Sequence, residues 1–374
     1  MQGKSKILFI VPLPPPVHGS AMVSQQIRDS RVINDAFRCD YVNLSTSRRM
    51  DEIGKNSPVK LWRMASAFIK ALWLLLIHRY GLCYLAITCH GTGFLKDAPF
   101  VLLCKLFRRK IVIHQHNKGM AADVDRWPYR WLLPLVYKNA KVILLSWLLY
   151  PDIERAVPKE NVVVCPNGIK VSDTVPLPKA ENTVPHFLFL SNLIESKGVF
   201  VLLDALEILA RKGLPFYCDF VGGETKEIDS ERFAVEVNRR NLGRQVIYHG
   251  RKYGAEKDVF FEQSDIFVFP TYYGNECFPL VLLEAMAHQL PIVTTNEGGI
   301  PDVVQDGVNG IICLRQDAQA VAAALERLAN DSALRHQMGA AGRKRLLEEF
   351  TEEVFEDRMK KELELYCFLH CFCF

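Results

Sequence analysis

The chain has 374 residues, which is too long for one ordinary domain of about 100–200 residues and suggests two domains. Hydrophobic residues make up 49% and charged residues 24%, a globular composition that excludes a disordered or low-complexity chain. Residues 1–172 carry 25 Lys+Arg against 11 Asp+Glu, whereas the remainder carries 21 against 31. We therefore expect the two halves to bind different partners, and the basic half to meet an anionic substrate or membrane face rather than nucleic acid, for which no motif is present.

The N-terminal apolar run, residues 7–11, is too short for a signal peptide and predicts a first buried strand. The eleven cysteines are scattered along the chain, which predicts reduced thiols in a cytoplasmic protein. Residues 61–77 are the most membrane-like segment, but Arg63 and Lys70 interrupt them and a span needs about 20 apolar residues. We expect a helix that either packs in the core or lies on a membrane surface.

After the first strand, a proline-rich loop leads to a helix that we expect to begin near Ala21. Gly19 and Ser20 then lie at a strand-to-helix turn, where a backbone without a Cβ can approach a phosphate closely. An ordinary turn is the alternative interpretation of these two residues.

Two further apolar runs, residues 83–88 and 110–113, are followed by His90, His114 and His116. The carboxyl ends of parallel strands border the crevice in which such sheets bind ligands. We therefore expect this histidine cluster at a ligand site, with His114 in a structural role.

Asp123 and Asp125 form an Asp-x-Asp pattern that elsewhere binds a metal ion. An aromatic amphipathic helix follows it instead of a strand, so we interpret the two residues as surface acids. An Asn-Gly turn at residues 167–168 closes the first domain, and the proline-rich segment 173–185 predicts an interdomain linker.

In the second half, a strand that ends at Ser191 is followed by a loop with Lys197 and Gly198 ahead of a helix. Such a loop predicts a phosphate site in which Lys197 is the cation. The N–H groups of Gly298 and Gly299 are further candidates for contact with ligand oxygens.

Residues 265–310 include a pair of carboxylates, Glu276 and Glu284, on either side of an apolar run. Residues 266–269 predict a buried strand that Pro270 stops, and residues 280–287 are good helix formers. The first turn of a helix leaves N–H groups unpaired and suits a phosphate or a sugar. Glu276 would stand at that helix start, with Glu284 on the same side and within reach of a ribose.

Glu276, seven intervening residues and Glu284, within NECFPLVLLEAMA and followed by PIV, GG and GVNG, resemble the signature of glycosyltransferase family 4, among the group 1 glycosyl transferases. The resemblance implies the α/β GT-B fold, in which two Rossmann-like domains face a central cleft and a C-terminal helix crosses back to the first domain. We expect an acceptor-binding domain at residues 1–172, a nucleotide-sugar-binding domain at 186–350, and a crossing helix and tail at 351–374.

The resemblance also implies an enzyme, a retaining glycosyltransferase that moves a sugar from a nucleoside-diphosphate-sugar to a lipid-linked or glycan acceptor, as in bacterial surface polysaccharide biosynthesis. It implies no metal, because helix N-termini and a lysine can replace one. The expected location is cytoplasmic, with peripheral contact to an anionic membrane.

The implied catalytic residues are Glu276, which holds the donor sugar, His116 beside that sugar, and Lys197 on the diphosphate. Glu284 is implied to bind the ribose. The other implied donor contacts are Gly19, Ser20, Asn192, Gly250, Arg251, Cys277, Phe278 and Leu280. Asn192 departs from the family, where an arginine commonly stands, so one cationic contact is either missing or supplied elsewhere.

Two alternative functions remain open from the sequence. A nucleotide-sugar 2-epimerase of the same fold would form product without any acceptor. A non-catalytic nucleotide-sugar-binding protein would bind the donor with neither hydrolysis nor transfer.

Overall fold

The structure, a computed structural model, describes residues 4–48, 52, 57–171 and 182–368. The chain divides into two compact units: unit 1 comprises Met1–Gly168 and Glu352–Phe374, and unit 2 comprises Ile169–Thr351. Most of the predicted linker at 173–185 and the tail at 369–374 lie outside the described residues. Each unit is built on a six-stranded parallel sheet, which confirms the predicted α/β class.

The sheet of unit 1 has the strand order β2-β1-β3-β4-β5-β6. Its central strands are continuous buried apolar runs, as expected for a parallel sheet covered on both faces. The strands are β1 (Lys6–Val11), β2 (Arg38–Asn43), β3 (Leu82–Leu85), β4 (Lys110–His114), β5 (Ala140–Leu144) and β6 (Val162–Val164). The chain runs from β1 to one edge and then returns past β1 to β3, so the strand order reverses between β1 and β3.

Five helices connect these strands: α1 (Gly19–Asp29), α2 (Arg31–Ala36), α3 (Pro58–Ile77), α4 (Gly91–Leu106) and α5 (Tyr129–Tyr137). The helix expected near Ala21 begins at Gly19, because His18 already has the extended backbone of a helix N-cap. Crossovers between parallel strands are right-handed, which puts α3, α4 and α5 on one face of the sheet and α1 and α2 on the other. The contacts of α4 with α3 and with α5 agree with this arrangement.

Helix α3 turns an apolar face to solvent. Only Ala71, Leu74 and Leu75 are buried among its 20 residues. Trp62 and Trp73, by contrast, are 71% and 58% exposed. The interpretation of this segment as a buried core helix is therefore wrong, because its most apolar positions lie on the side away from the sheet. No helix within the described ranges has both the length and the apolar character needed to cross a membrane.

The sheet of unit 2 has the order β12-β11-β10-β7-β8-β9. Its strands are β7 (His186–Leu190), β8 (Tyr217–Val221), β9 (Val246–Tyr248), β10 (Ile266–Phe269), β11 (Ile292–Thr295) and β12 (Gly310–Cys313). Its helices are α6 (Val199–Arg211), α7 (Ser230–Arg239), α8 (Ala255–Gln263), α9 (Leu280–Ala287), α10 (Ile300–Val303), α11 (Ala318–Asn330) and α12 (Ser332–Glu349). The strand order reverses between β7 and β10, which are neighbours in this sheet.

The last helix, α13 (Glu352–Phe368), belongs to unit 1 and packs against α2. The amine of Lys110, at the start of β4, donates hydrogen bonds to the carbonyls of Tyr366 and Cys367 near the end of this helix. These bonds join the C-terminal end of the described chain to the sheet of unit 1.

Candidate functional site

The reversal of strand order in unit 2 defines its candidate site. Ligands of open parallel sheets bind outside the carboxyl ends of the strands at the point where the connections diverge. The loop after β7 carries Lys197, and the loop after β10 carries Glu276. The N–H of Tyr272 donates to the carbonyl of Ser196 at 2.8 Å, which ties the two loops together.

Lys197 and Glu276 form an ion pair in which Nζ lies 2.5 Å from Oε2. The two side chains are 15% and 9% exposed, so the pair is largely shielded from water. The ammonium group also lies over the ring of Tyr273, 4.4 Å from its centroid. Two of the predicted catalytic residues are thus in direct contact, in a setting where a charge interacts strongly with an incoming anion.

The position of Lys197 depends on Gly198, which follows it with φ +89°. A Cβ at Gly198 would lie 2.2 Å from the carbonyl oxygen of Pro270, so no side chain fits between the two loops. The sequence predicted Gly198 as part of a phosphate loop. In the structure, Gly198 also allows the loop after β7 to pack directly against the loop after β10.

Gly298 supports the Glu276 loop in the same way, with φ +55° and a would-be Cβ 2.2 Å from the carbonyl oxygen of Glu276. The N–H of Gly299 donates to the carbonyl of Cys277 at 2.7 Å. The N–H of Gly298 donates to Glu297 Oε1 at 3.2 Å. Both N–H groups thus have acceptors within the protein, and their contact with ligand oxygens stays a prediction.

Glu284 lies in the second turn of α9, which begins after Pro279 without a side-chain cap. Its Oε1 accepts a hydrogen bond from Lys257 Nζ at 2.6 Å. Burial raises the pKa of Glu284, and the neighbouring Lys257 opposes that effect. Lys257, on α8, is a site residue that the sequence did not identify, because nothing in the local pattern indicates its contact with a residue 27 positions away.

Asn192 has a structural contact in place of the expected charge. Its Oδ1 accepts a hydrogen bond from the N–H of Gly223 at 3.1 Å. The guanidinium of Arg251 lies directly over Gly223, with its terminal nitrogen 2.2 Å from where a Cβ would stand. A cation is therefore present beside Asn192, contributed by the loop after β9, and Gly250 gives that loop its turn with φ +67°.

The remaining donor contacts implied in this unit differ in accessibility. Cys277 and Phe278 are each 5% exposed, and the Phe278 ring packs against Phe350. Both residues are thus largely shielded, and their contact with a donor stays a prediction. Leu280, the first residue of α9, is partly exposed at the open helix start.

In unit 1, His116 lies beyond the end of β4, and the centroid of its ring is 4.0 Å from the centroid of the His114 ring. His114 is fully buried and its Nδ1 shares a 2.5 Å hydrogen bond with the Tyr84 hydroxyl, which is the structural role expected of it. Burial, and then the nearby His18, lower the pKa of His116 to about 3. His116 is therefore a neutral imidazole at neutral pH, and its buried Nε2 has no hydrogen-bond partner in the described structure.

A cavity of about 1040 Å³ lies at the carboxyl ends of the unit 1 strands. Its walls include the loops after β1 and β3, the two strands between which the strand order reverses. His116, His18 and Ser20 line it, and Ser20 Oγ lies 3.1 Å from His18 Nδ1. Gly19 starts α1 beside them, with open space where a Cβ would stand. The sequence identified Ser20 and His116 but not His18.

The Asp-x-Asp pattern is not a pair of surface acids. Asp123 is buried and accepts a 2.7 Å hydrogen bond from the N–H of Gly91 at the start of α4. Asp125 is exposed and forms two hydrogen bonds to Arg155. Both carboxylates have protein partners, and no group of three His, Cys, Asp or Glu side chains among the described residues is arranged to hold a metal ion.

Comparison with known proteins relates the second unit to a family. Residues 177–345 match the sequence model of the family described as "Glycosyl transferases group 1". The capsular polysaccharide biosynthesis glycosyltransferase CapM of Staphylococcus aureus is 29% identical over 174 residues, which are 46% of this chain and 44% of that protein. The O-antigen chain mannosyltransferase C of Escherichia coli is 31% identical over 168 residues, 45% of this chain and 43% of that protein. The matches thus span about half the length of these curated relatives.

Solved structures extend the likeness to the whole chain. A glycosyltransferase from Rickettsia africae has a TM-score of 0.74 at 18% identity and covers 97% of this chain and 98% of its own. Alr3699/HepE from Anabaena, in complex with UDP, has a TM-score of 0.73 at 17% identity and covers 96% of this chain and 99% of its own. These similarities confirm the GT-B fold class predicted from the sequence. Residues 177–345 of this chain therefore form a glycosyl transferases group 1 domain, and the predicted family resemblance is confirmed.

Proposed function

We propose that the chain is a retaining glycosyltransferase that uses a nucleoside-diphosphate-sugar. The oxygen of an acceptor hydroxyl forms a bond to the anomeric carbon of the sugar, and the bond from that carbon to the diphosphate breaks. The hydroxyl proton passes to the departing diphosphate. The protein must chiefly stabilise the negative charge that develops on the leaving group.

The observation that carries this proposal is the Lys197–Glu276 pair at the reversal of strand order in unit 2. In the proposal, Lys197 binds the diphosphate, and Glu276, released from part of its pairing, accepts hydrogen bonds from the sugar hydroxyls. Glu284 exchanges its hydrogen bond from Lys257 for hydrogen bonds from the ribose hydroxyls. Arg251 supplies the second cationic contact near Asn192, and no metal ion is needed, so EDTA should leave the rate unchanged.

His116 is proposed to position the sugar through a neutral hydrogen bond, because its lowered pKa keeps the imidazole uncharged. Gly19 and Ser20 contribute the open start of α1 at the same cavity. We propose residues 1–172 as the acceptor-binding part and 186–350 as the donor-binding part.

Bacterial surface polysaccharide assembly is the proposed setting. Relatives of this chain are named as capsular polysaccharide and O-antigen chain glycosyltransferases, and those names support a glycan or lipid-linked acceptor. The proposed location is the cytoplasm, at the inner face of the cell membrane.

We also propose that unit 1 contacts an anionic membrane through α3 and α5, the two helices that pack on either side of α4. Exposed tryptophans lie on or beside both helices, Trp62 and Trp73 on α3 and Trp127 and Trp131 at α5. Basic side chains accompany them in a half of the chain that carries a net charge of +14. A helix with exposed aromatic and basic side chains is suited to the headgroup boundary of an anionic bilayer.

Flotation with phosphatidylglycerol vesicles tests the membrane contact. The protein should float at low salt, less as salt rises, and less after Trp62→Ser and Trp73→Ser than after Val235→Ser in unit 2. Absence of flotation at low salt would remove this part of the proposal.

The transfer reaction is tested with a panel of nucleoside-diphosphate-sugars, beginning with UDP-sugars, and with alkyl-linked monosaccharides as acceptors. We expect nucleoside diphosphate release that requires an acceptor and falls about 100-fold or more in Lys197→Met and Glu276→Gln. Gly274→Ala, in the same loop but with open space around the new Cβ, is the matched control. Unchanged turnover in both site variants would overturn the assignment, and product without acceptor would instead indicate an isomerase.

A further inference from the structure

We infer that the cavity of unit 1 binds an anionic amphiphile: a sugar joined through phosphate to an apolar tail, with the tail leaving the cavity over Leu61 along α3. The inference rests on the proposed function, because it names the class of acceptor for the same transfer. It selects a lipid-linked acceptor over a soluble glycan.

The cavity lining fits a sugar head group. Hydroxyl side chains line it from several separate segments, among them Ser45, Ser47, Thr88 and Thr92, together with the amide of Asn117. Hydroxyl and amide groups both donate and accept hydrogen bonds, which is the pairing that the hydroxyls of a sugar require. The volume of about 1040 Å³ is ample for a sugar and its phosphate linkage.

The charged groups at the cavity favour an anion over a neutral molecule. Among the described residues that line the cavity, Lys60 and Lys96 are the lysines and Asp97 is the carboxylate. Lys96 Nζ lies 3.4 Å from Asp97 Oδ1, while Asp97 Oδ2 accepts a 2.9 Å hydrogen bond from the N–H of Thr88. The amine of Lys60 binds the carbonyl of Glu52, which holds that cation on α3 beside the cavity. The side chain of Lys96 is 34% exposed and remains open to an incoming phosphate.

Leu61 connects the cavity to the apolar surface of α3. It lines the cavity and is at the same time 65% exposed. Steps of four residues along the helix lead from Leu61 through Ala65, Ile69 and Trp73 to Ile77, and all five are exposed apolar residues. Residues four apart are neighbours on a helix surface, so the five form a continuous apolar ridge that runs obliquely around α3 over a length of about 24 Å. Lys60 precedes the ridge at the cavity mouth, where a phosphate would join a sugar to its tail.

Calorimetric binding of three matched probes tests the inference. The first probe is an octyl diphosphate that carries glucose, galactose or N-acetylglucosamine, used below its micellar concentration. The second carries a methyl group in place of octyl, and the third is the neutral octyl glycoside of the same sugar. We expect the first probe to bind at least ten-fold more tightly than either of the others.

Two variants separate tail from charge. Leu61→Ser should lower the affinity for the octyl diphosphate probe to that for the methyl probe, and should leave the affinity for the methyl probe unchanged. Lys96→Gln should lower the affinity for both diphosphate probes and leave the affinity for the neutral glycoside unchanged. Leu76→Ser is the matched control for the tail, because Leu76 is on the same helix and 66% exposed but lies away from the cavity. Lys138→Gln is the control for charge.

Equal affinity for the octyl and methyl diphosphates would overturn the inference in favour of a soluble acceptor. If the neutral octyl glycoside bound as tightly as the octyl diphosphate probe, or if no probe bound, the inference would be overturned as well. These titrations contain no donor, so their failure leaves the donor chemistry of unit 2 standing. Conversely, failure of the transfer reaction in unit 2 would show in donor assays and leave probe binding unchanged.

Discussion

The side-chain amine of Lys197 lies 2.5 Å from Glu276 Oε2 across 79 residues of sequence. The two residues come from loops after neighbouring strands, and both loops are fixed by glycines that admit no Cβ. The packing of the two loops thus holds these side chains in contact. A diphosphate that binds Lys197 must share or replace this contact, which would free one carboxylate oxygen of Glu276 for a sugar hydroxyl.

The first prediction concerns the stability of this pair. Lys197→Met keeps the apolar stem against Tyr273 but leaves the largely buried carboxylate of Glu276 without its cation. We expect a loss of about 2–3 kcal/mol in the free energy of unfolding, measured by urea denaturation, because one charge of a shielded pair is left unpaired. The double variant Lys197→Met/Glu276→Gln should lose less than the sum of the single changes. Additive losses would show that the pair is not coupled.

The second prediction concerns Gly198. Gly198→Ala should cost about 1–3 kcal/mol in the free energy of unfolding, because the residue has φ +89° and its Cβ would meet the carbonyl of Pro270. It should also weaken nucleoside diphosphate binding, because Lys197 shifts with the loop. Gly274→Ala, with open space and no left-handed backbone, should change neither quantity. A Gly198→Ala protein with unaltered stability would contradict the described packing of the two loops.

The third prediction tests Arg251 through its neighbour. A Cβ at Gly223 meets only the end of the Arg251 side chain, which can move away. Gly223→Ala should therefore fold normally and weaken nucleoside diphosphate binding to the same extent as Arg251→Ala. The double variant should bind no more weakly than either single variant, because both changes remove one contact. Full affinity in Arg251→Ala would assign the missing cation to another residue.

The fourth prediction concerns pH and His116. The pKa of His116 is about 3 in the folded protein, against an ordinary value of 6.5. Between pH 6.5 and pH 3, this imidazole is therefore protonated in the unfolded chain but neutral in the folded protein. Stability supplied by the neutral imidazole is thus present above pH 6.5 and lost as the pH falls towards 3, by about 2 kcal/mol at pH 5. His116→Gln should lower the loss of stability between pH 7 and pH 5, measured by urea denaturation. An equal loss in both proteins would contradict the shifted pKa.

The sequence predicted the elements of this fold where local chemistry decides them. The apolar run ahead of Pro270 became β10, and the helix formers after Pro279 became α9, at Ile266–Phe269 and Leu280–Ala287. Glu276, Glu284 and Lys197 could be identified because their motif lies in one stretch or beside a glycine. Such signals are local, and the folded chain preserves them.

The contacts between distant segments could not be predicted. Lys257 pairs with Glu284, and Arg251 lies over Gly223, through tertiary packing that leaves no periodic trace in the sequence. Asp123 accepts a hydrogen bond from the backbone N–H of Gly91 at the start of α4, a contact that also has no sequence signal. The direction of the apolar face of α3 was open for the same reason, because composition states how apolar a helix is and not which side the sheet covers.

In the proposed function, Lys197 and Glu276 hold a nucleoside-diphosphate-sugar for transfer with retention. The most direct test is nuclear magnetic resonance of the transfer reaction, which gives the rate and the anomeric configuration of the product together. We expect an α-linked product from an α-linked donor, and a rate that falls about 100-fold or more in Glu276→Gln while Gly274→Ala keeps the full rate. An inverted product, or full transfer by Glu276→Gln, would contradict it.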